Sequence, residues 1–407
     1  MGRKRIILIV GDTETLGYFS KELAIYLQML GREVFIWDVK HPADSVSAFE
    51  ELPDKADSVL VTFNFIGLSG EGQFGDEKST IWEEHGIDII NIMVDSPVYY
   101  YKLLKRGFKR FSVACIDRNH VAFVKRWYPE IENVYFWPLN GNEPVDDLWL
   151  RPGIYDHSMY KNRFRYLPFD ERPVDIVFTA NYVTKASIDS AIDGMDAEYK
   201  SFLMDICDQM IRHPEVVLED TLYENLLREF PDEPEESYPE AMYHMVYVDL
   251  YVRSYFRALA VKTLVDAGYR VHCVGKDWDN LVCDHPENLI HTDAMLTSAD
   301  CVRALESARI SLNVMPLFKA GAHDRVFTSM MAGCVALTDS SSYLDELITP
   351  WVDYAPFVPW EPESLTDASG RLMADPALAE KLADQGRKSA DGRFTWLNTA
   401  NFIDSMV

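Results

Sequence analysis

The opening of the chain alternates between strand and helix patterns in a way that few folds can accommodate. Residues 5–12, RIILIVGD, form an apolar run, residues 15–31 carry apolar side chains at helical spacing up to Gly31, and residues 32–39 are a second apolar run. This order predicts a βαβ unit. Similar apolar runs recur at 58–65, 88–96, 110–117 and 133–140. Because buried strands that alternate with helices form parallel sheets covered on both faces, we predict a Rossmann-like α/β domain whose strands end near Asn142.

The second half of the chain repeats this pattern after an irregular segment rich in proline, aspartate and aromatic residues. VDIVFTAN, at 174–181, predicts the first strand of a second Rossmann-like domain, and about 182–266 predicts an all-helical insert in it. The domain boundaries that we predict are 1–168, 169–385 and a C-terminal helix at 386–407 that crosses back to the first domain. Two such domains would face a cleft, and open parallel sheets bind ligands beyond the carboxyl ends of their strands.

Length, charge and cysteine content limit the classes of function. The 407 residues suit two domains, and the net charge of −26 argues against nucleic acid or anionic membrane surfaces as partners. The first apolar run is too short for a signal sequence or a membrane span. Six cysteines are scattered without a CxxC pair. These features predict a cytoplasmic protein without a zinc site or a disulfide framework.

The segment 318–341, FKAGAHDRVFTSMMAGCVALTDSS, predicts an anion site. It reads as a loop, a short helix from Arg325 to Ala332, a left-handed stop at Gly333 and a strand. A helix N-terminus attracts anions, and Arg325 and His323 would strengthen that attraction, so a diphosphate fits. The alternative is that Arg325 merely pairs with Asp324 or Glu346 at the surface.

Several segments, taken in chain order, carry a family resemblance. They are VDIVFTAN, YRVHCVGKDW, ALESARISLNVMP, HDRVFTSMMAGCVALTD, WVDYAPFVPWEPESL, PALAEKLADQGRK and FTWLNTANFI, with IMVDSP and VYFWPLN in the first half. Together they resemble GT-B glycosyltransferases, specifically the group of bacterial spore-maturation and related proteins. The likeness covers 174–400 apart from the helical insert. Where that group usually has a glutamate that holds the donor ribose, this chain has Thr328, which can make only a weaker single contact.

The resemblance implies a glycosyltransferase that uses a nucleotide-diphosphate sugar, for which we expect UDP, and no other cofactor. The second domain would bind the donor, and a protein, glycan or small-molecule acceptor would approach from the first. Arg325, assisted by His323, would neutralise the leaving diphosphate as its charge develops. No metal-spaced cluster of carboxylates or histidines is visible in the sequence, and we predict that no metal is required.

Further residues are candidates for donor binding, each with a structural alternative. Lys276 and Gly275 lie in the loop after the VHCV strand, where Lys276 either contacts phosphate or is simply solvated. Asn313 ends the SLN strand and either contacts the donor or satisfies local backbone. Thr179 and Asn181 either donate to phosphate or base, or cap the next helix. Trp278 either packs near the base or fills the core.

In the first half, Asp95 follows an apolar strand and would face the cleft as a general base toward an acceptor hydroxyl. The alternative is structural, because Ser96 and Pro97 are typical of the first positions of a helix, with Asp95 assisting the cap. Two other functions also fit the pattern. One is a non-catalytic module that binds a nucleotide-sugar or a protein partner, and the other is an NDP-sugar epimerase of the same fold. The helical insert offers a surface for a homodimer.

Overall fold

The computed structural model describes residues 4–76, 78–143, 167–292 and 296–407. Among these residues the chain forms two units. The first comprises residues 4–140, apart from residue 77, and 394–407. The second comprises residues 141–143, 167–292 and 296–393.

The first unit is built on a parallel six-stranded sheet of order β2-β1-β3-β4-β5-β6. Every residue of the first and third strands is buried, as expected for strands covered on both faces. The strands are β1 Arg5–Val10, β2 Val34–Asp38, β3 Ser58–Phe63, β4 Asp88–Met93, β5 Phe111–Cys115 and β6 Asn133–Phe136. The helices are α1 Glu14–Met29, α2 Pro42–Glu50, α3 Ile81–Glu84, α4 Tyr101–Leu104 and α5 Arg118–Trp127.

The second unit has its own parallel six-stranded sheet, of order β12-β11-β10-β7-β8-β9. Its strands are β7 Val174–Phe178, β8 Val271–Cys273, β9 Leu289–His291, β10 Ala308–Asn313, β11 Val335–Thr338 and β12 Ala355–Pro356. Between β7 and β8 lie the helices α6 Lys185–Asp189, α7 Ala197–Arg212, α8 Leu218–Glu229, α9 Tyr238–Tyr243 and α10 Val246–Asp266. That this helical segment is an insertion stays a prediction.

The remaining helices cover the second sheet or return to the first unit. They are α11 Ser298–Glu306, α12 Asp324–Met331, α13 Ser342–Leu347, α14 Pro362–Ala374, α15 Pro376–Ala390 and α16 Trp396–Met406. The last helix packs against α1, where Trp396 contacts the ring of Phe19 and the Arg32 guanidinium bonds Asp404 at 2.5 Å. The described helices include none that is long and apolar enough to cross a membrane. The predicted α/β fold with two parallel sheets is confirmed.

Each sheet has a point where the chain reverses its direction of strand addition. In the first sheet β2 and β3 lie on opposite sides of β1, and in the second sheet β8 and β10 lie on opposite sides of β7. In open parallel sheets the helices diverge at such a point and leave a crevice beyond the carboxyl ends of the strands. The topology therefore directs attention to residues that follow β1 and β3, and β7 and β10.

Candidate active site

The helix α12 begins beside the carboxyl end of β10, at the reversal point of the second sheet. Its N-cap is His323, which has extended backbone and makes no side-chain cap; the helix ends at Met331, and Gly333 follows its C-cap with φ +69°. The Ser329 hydroxyl donates to the Ser311 hydroxyl of β10 at 2.7 Å, so small side chains hold the helix close to the sheet. The predicted helix and its left-handed stop are confirmed, with Asp324 as the first helical residue.

The side chain of Asn313, buried at the end of β10, joins the two basic residues at this helix start. Its Oδ1 accepts a hydrogen bond from Arg325 Nη1 at 2.9 Å and lies 3.2 Å from His323 Nδ1. Its Nδ2 donates to the Thr338 hydroxyl at 2.9 Å, and that hydroxyl donates to the Asp339 carbonyl. Since Thr338 donates its proton to Asp339, it must accept from the Asn313 NH₂ group, so the amide atom that faces His323 is the oxygen. We therefore assign the proton of neutral His323 to Nδ1, which donates to that oxygen. Nε2 is then an acceptor.

The electrostatic state of His323 differs from the expectation. Burial lowers its pKa well below the usual value, and the positive charges of Arg325, Arg257 and Arg253 lower it further. The imidazole is therefore neutral at pH 7. This corrects the expectation that His323 adds positive charge at the anion site, since its own basic neighbours oppose a further proton.

Arg253 and Arg257 are basic residues of this site that the sequence analysis missed. They lie one helical turn apart on α10, and both act on the His323 imidazole. Arg253 also pairs with Asp249 at 3.2 Å. Their i,i+4 spacing in YVRSYFRALAVK was the available signal, because residues four apart share a helix face. Three guanidinium groups therefore act on one imidazole.

Arg325 keeps its charge available in this arrangement. Burial lowers its pKa while Asp324 opposes the change, and a guanidinium remains protonated at neutral pH. Its guanidinium carbon lies 5.8 Å from the centre of the Phe178 ring, at the end of β7. Within the described chain no ion pair joins Arg325 to Asp324 or Glu346 at salt-bridge distance, so the surface-pairing alternative is not what the geometry shows.

The loops after β7 and β8 hold a second group of predicted residues. Asn181 Oδ1 accepts from the Lys276 backbone N–H at 2.9 Å, while the Lys276 side chain is exposed. A Cβ added at Gly275 would lie 2.1 Å from the Ala180 carbonyl oxygen, so the glycine permits this close approach. Trp278 is buried, donates from Nε1 to the same carbonyl at 2.6 Å, and packs on Phe178, which fits the core alternative.

Two other predicted residues lie at these strand ends and helix starts. Thr179 follows β7 and is largely buried. Thr328 is 3% exposed, and its hydroxyl donates to the Asp324 carbonyl and accepts from the Asn142 N–H, each at 2.9 Å. Both hydrogen-bonding functions of the Thr328 hydroxyl are therefore engaged inside the protein, and we do not include it in the proposed donor site.

Asp95 belongs to the first unit and lines a cavity of about 500 Å³ beyond β1, β3 and β4. Its Oδ2 accepts from Asn64 Nδ2 at 2.8 Å and from the Tyr100 hydroxyl at 3.5 Å. Ser96 caps the next helical turn at Val98. The predicted cap is thus made by Ser96, and the hydrogen bonds of the Asp95 carboxylate go to Asn64 and Tyr100 instead.

The fold resembles those of solved glycosyl-transferring enzymes. Sucrose-phosphate synthase from Thermosynechococcus elongatus superposes with a TM-score of 0.53 at 13% identity, over 99% of this chain and 98% of that one. An alpha-glucosyltransferase in complex with UDP-glucose and DNA gives 0.53 at 12% identity, over 99% and 100%. T4 phage BGT in complex with UDP and Mn²⁺ gives 0.50 at 11% identity, over 99% and 97%. These likenesses define the fold as GT-B.

The family comparison adds the class of enzyme. Residues 253–405 match the family described as "Glycosyl transferase-like", and the matched segment contains Arg253, Arg257, His323 and Arg325. No curated protein sequence matches the chain. The matched segment is less than half of the chain, and together with the GT-B fold it supports a glycosyltransferase enzyme.

Proposed function

We propose that the protein transfers a sugar from a nucleotide-diphosphate sugar, with UDP as the nucleotide, to a hydroxyl of a protein, glycan or small-molecule acceptor. The observation that carries the proposal is the Arg325 guanidinium held by Asn313 at the reversal point of the second sheet, with Arg253 and Arg257 nearby. The solved structures of T4 phage BGT and of the alpha-glucosyltransferase contain UDP and UDP-glucose respectively, which supports UDP as the donor nucleotide. The second unit would bind the donor and the first unit the acceptor.

The proposed reaction forms a bond between the acceptor oxygen and the sugar anomeric carbon and breaks the bond from that carbon to the diphosphate oxygen. Negative charge then develops on the diphosphate, and three guanidinium groups are suited to stabilise it through charge-assisted hydrogen bonds. An anion at this place would also oppose the effect of the arginines on His323 and raise the pKa of its imidazole. Asp95 is the candidate base for the acceptor proton.

We also propose that the transfer needs no metal ion. The basic side chains named above supply positive charge where a divalent cation would otherwise act. Among the described residues no group of three or more His, Cys, Asp or Glu is placed to hold a metal. Addition of Mn²⁺ to chelator-treated protein should leave the transfer rate unchanged; a rate that depends on Mn²⁺ would overturn this point.

Calorimetry with UDP and UDP-glucose tests the donor proposal. Arg325→Ala should weaken binding by about 30-fold or more, because a desolvated phosphate loses a bidentate partner. Arg270→Gln is the matched control, since Arg270 is exposed and directly precedes β8. It therefore lies at the amino ends of the strands, whereas the proposed site lies at their carboxyl ends. UDP that binds the Arg325→Ala variant as tightly as the wild type, or that binds neither protein, would contradict the proposal.

The finer predictions from the sequence stand as parts of this proposal. These are the spore-maturation group, the domain boundaries at 168 and 385, a cytoplasmic location, a homodimer through the helical segment and acceptors other than nucleic acid. No observation favours the binding-only module or the epimerase. Mass analysis of the products distinguishes a transferase from both alternatives, because only a transferase moves the mass of the sugar to an acceptor.

A further inference from the structure

The cavity in the first unit lies at the reversal point of that sheet. It has a volume of about 500 Å³, is partly open to solvent, and is lined by residues that follow β1, β3 and β4. A volume of this order suits a small molecule of one or two rings. Its location is where a parallel sheet of this order leaves a crevice, so topology and volume indicate a binding site independently of its charge.

The lining of the cavity is mixed, and its polar part is acidic. The three loops together supply hydroxyl, amide and carboxylate groups, and none of the described residues that line the cavity is Lys, Arg or His. Its charged or amide side chains are Asp12, Asn64, Glu71 and Asp95. Such a lining offers many hydrogen bonds to a polyol, repels a phosphate or other anion, and attracts an amine.

Two of the carboxylates are held in fixed orientations. Glu71 accepts backbone N–H bonds from Gly67 at 3.1 Å and Ser69 at 3.0 Å, which order the loop after β3. Asp95 is held through Oδ2 by Asn64, whose own Oδ1 accepts from the Val94 N–H at 2.8 Å. Within the described part of the chain Asp95 Oδ1 makes no hydrogen bond, so it can accept one from a ligand hydroxyl or ammonium group.

The backbone at Asn64 supports this assignment. Asn64 and Phe65 both have positive φ, +49° and +61°, which non-glycine residues seldom adopt in succession. The conformation is held by a hydrogen bond from the Phe65 N–H to the buried Asn91 side chain at 2.8 Å. It places the Asn64 amide against Asp95.

We infer that this cavity binds an uncharged or amine-bearing sugar, and that it rejects phosphorylated sugars and nucleic acid. Naming this sugar the acceptor rests on the proposed function, whereas its binding to the cavity does not. The ligand hydroxyl or ammonium group would contact Asp95 Oδ1, with Asn64 and Tyr100 as positioning residues that keep the carboxylate in place.

The experiment compares three probes that share one ring. Saturation-transfer-difference NMR on the full chain, without UDP, is recorded with D-glucosamine, D-glucose and D-glucose 6-phosphate at equal concentration and pH 7. We expect the strongest signal for glucosamine, a weaker one for glucose and almost none for the phosphate. A glucose 6-phosphate signal equal to that of glucose, or the absence of all three signals, would overturn the inference.

Substitutions of carboxylates in the lining test whether the sugar binds in this cavity. Asp95→Asn and Asp12→Asn each remove one charge that attracts the ammonium group. Asp95→Asn should reduce the glucosamine signal by about threefold relative to glucose, and Asp12→Asn should reduce it less because Asp12 is exposed and more strongly screened by solvent. Asp44→Asn, an exposed carboxylate on α2, is the matched control. If Asp95→Asn is unfolded by circular dichroism, the Asp12 variant decides alone, and equal ratios in wild type and variant would refute the site.

The proposal that the protein binds a UDP donor and the inference that the cavity binds a sugar can be tested separately. UDP binding by calorimetry is measured on the same samples. Sugars that do not bind a protein that binds UDP would remove only the cavity inference. UDP that does not bind a protein that binds glucosamine would remove the donor proposal and leave the cavity in place.

Discussion

Arg325 Nη1 donates to Oδ1 of Asn313 at 2.9 Å, and this pair fixes a helix residue to the last residue of a central strand. The partner is a neutral amide that is 1% exposed. An amide orients a guanidinium without neutralising it, whereas a carboxylate would do both. The positive charge is therefore positioned by the fold and retained for an anionic ligand.

A carboxylate in place of the Asn313 amide should neutralise the charge of Arg325. In Asn313→Asp, Arg325 gains an ion-pair partner and His323 gains a negative neighbour, so UDP should bind about tenfold more weakly or worse and the His323 pKa should rise. Calorimetry gives the first effect and an NMR titration of the imidazole gives the second. Asn133→Asp, exposed on β6, is the control. An unchanged His323 titration would show that Asn313 is not coupled to this site.

The arginines of α10 should act on the same imidazole. Arg253→Gln and Arg257→Gln each remove one of the charges that lower the His323 pKa. Each variant should therefore show a higher His323 pKa by NMR and weaker UDP binding, by about three- to tenfold. Arg270→Gln should change neither quantity. Wild-type values of both quantities in the α10 variants would exclude Arg253 and Arg257 from the site.

Thr328 stands where the resembling group usually has a glutamate, and its buried surroundings should not accept that larger, charged side chain. The hydroxyl bonds Asn142 and Asp324, and the Gly141 Cα lies so close that a Cβ there would be 2.5 Å from the Thr328 N. Thr328→Glu would bury a carboxylate in this space, and we expect a loss of about 2–4 kcal/mol in the free energy of unfolding. Thr328→Ser should lose less than about 1 kcal/mol. Urea unfolding compares the two, and equal stability would contradict this packing.

The loop contact at Gly275 gives a prediction about stability. A methyl group there would overlap the Ala180 carbonyl, which also accepts from Trp278. Gly275→Ala should reduce the free energy of unfolding by about 2–4 kcal/mol, because the atoms that the methyl group would overlap belong to the backbone at Ala180 and Asn181, which would have to shift. Gly194→Ala meets no heavy atom within 4 Å and is the control. Similar thermal midpoints for the two variants would show that the loops separate easily.

The sequence was sufficient for the elements of the fold because their signals are local. The strand at 174–178, the helix at 324–331 and the left-handed Gly333 all follow from apolar spacing and glycine placement. Those signals also identified Arg325 and His323 as neighbours at a helix start.

The features that the sequence could not give depend on register and on contacts across the fold. The role of Asn313 requires its pairing opposite Thr338 in the sheet, which no local pattern specifies. Arg253 and Arg257 lie some seventy residues before His323, and only the packed position of α10 brings their charges to the imidazole. The neutral state of His323 follows from that cluster. Asn64 was missed because its left-handed backbone has no glycine to mark it.

Asp339, directly after β11, should give the protein a measurable pH dependence of stability. Its carboxylate is buried and accepts the Met315 N–H at 2.9 and 3.2 Å, and burial raises its pKa to about 7. Because the folded-state pKa lies above the unfolded value, the native state binds the extra proton, and the stability from Asp339 is lost as pH rises from about 4 to 7. Asp339→Asn lacks this proton equilibrium.

The variant should therefore gain stability relative to the wild type as pH rises, by up to about 4 kcal/mol between pH 4 and pH 8. Any loss of hydrogen bonding in the amide is the same at both ends of this range and cancels in the comparison. Guanidinium unfolding of both proteins at pH 5 and pH 8 measures the change in the difference, with exposed Asp279→Asn as the control. A difference between Asp339→Asn and wild type that is the same at both values of pH would mean that Asp339 is ionised in the native protein throughout this range.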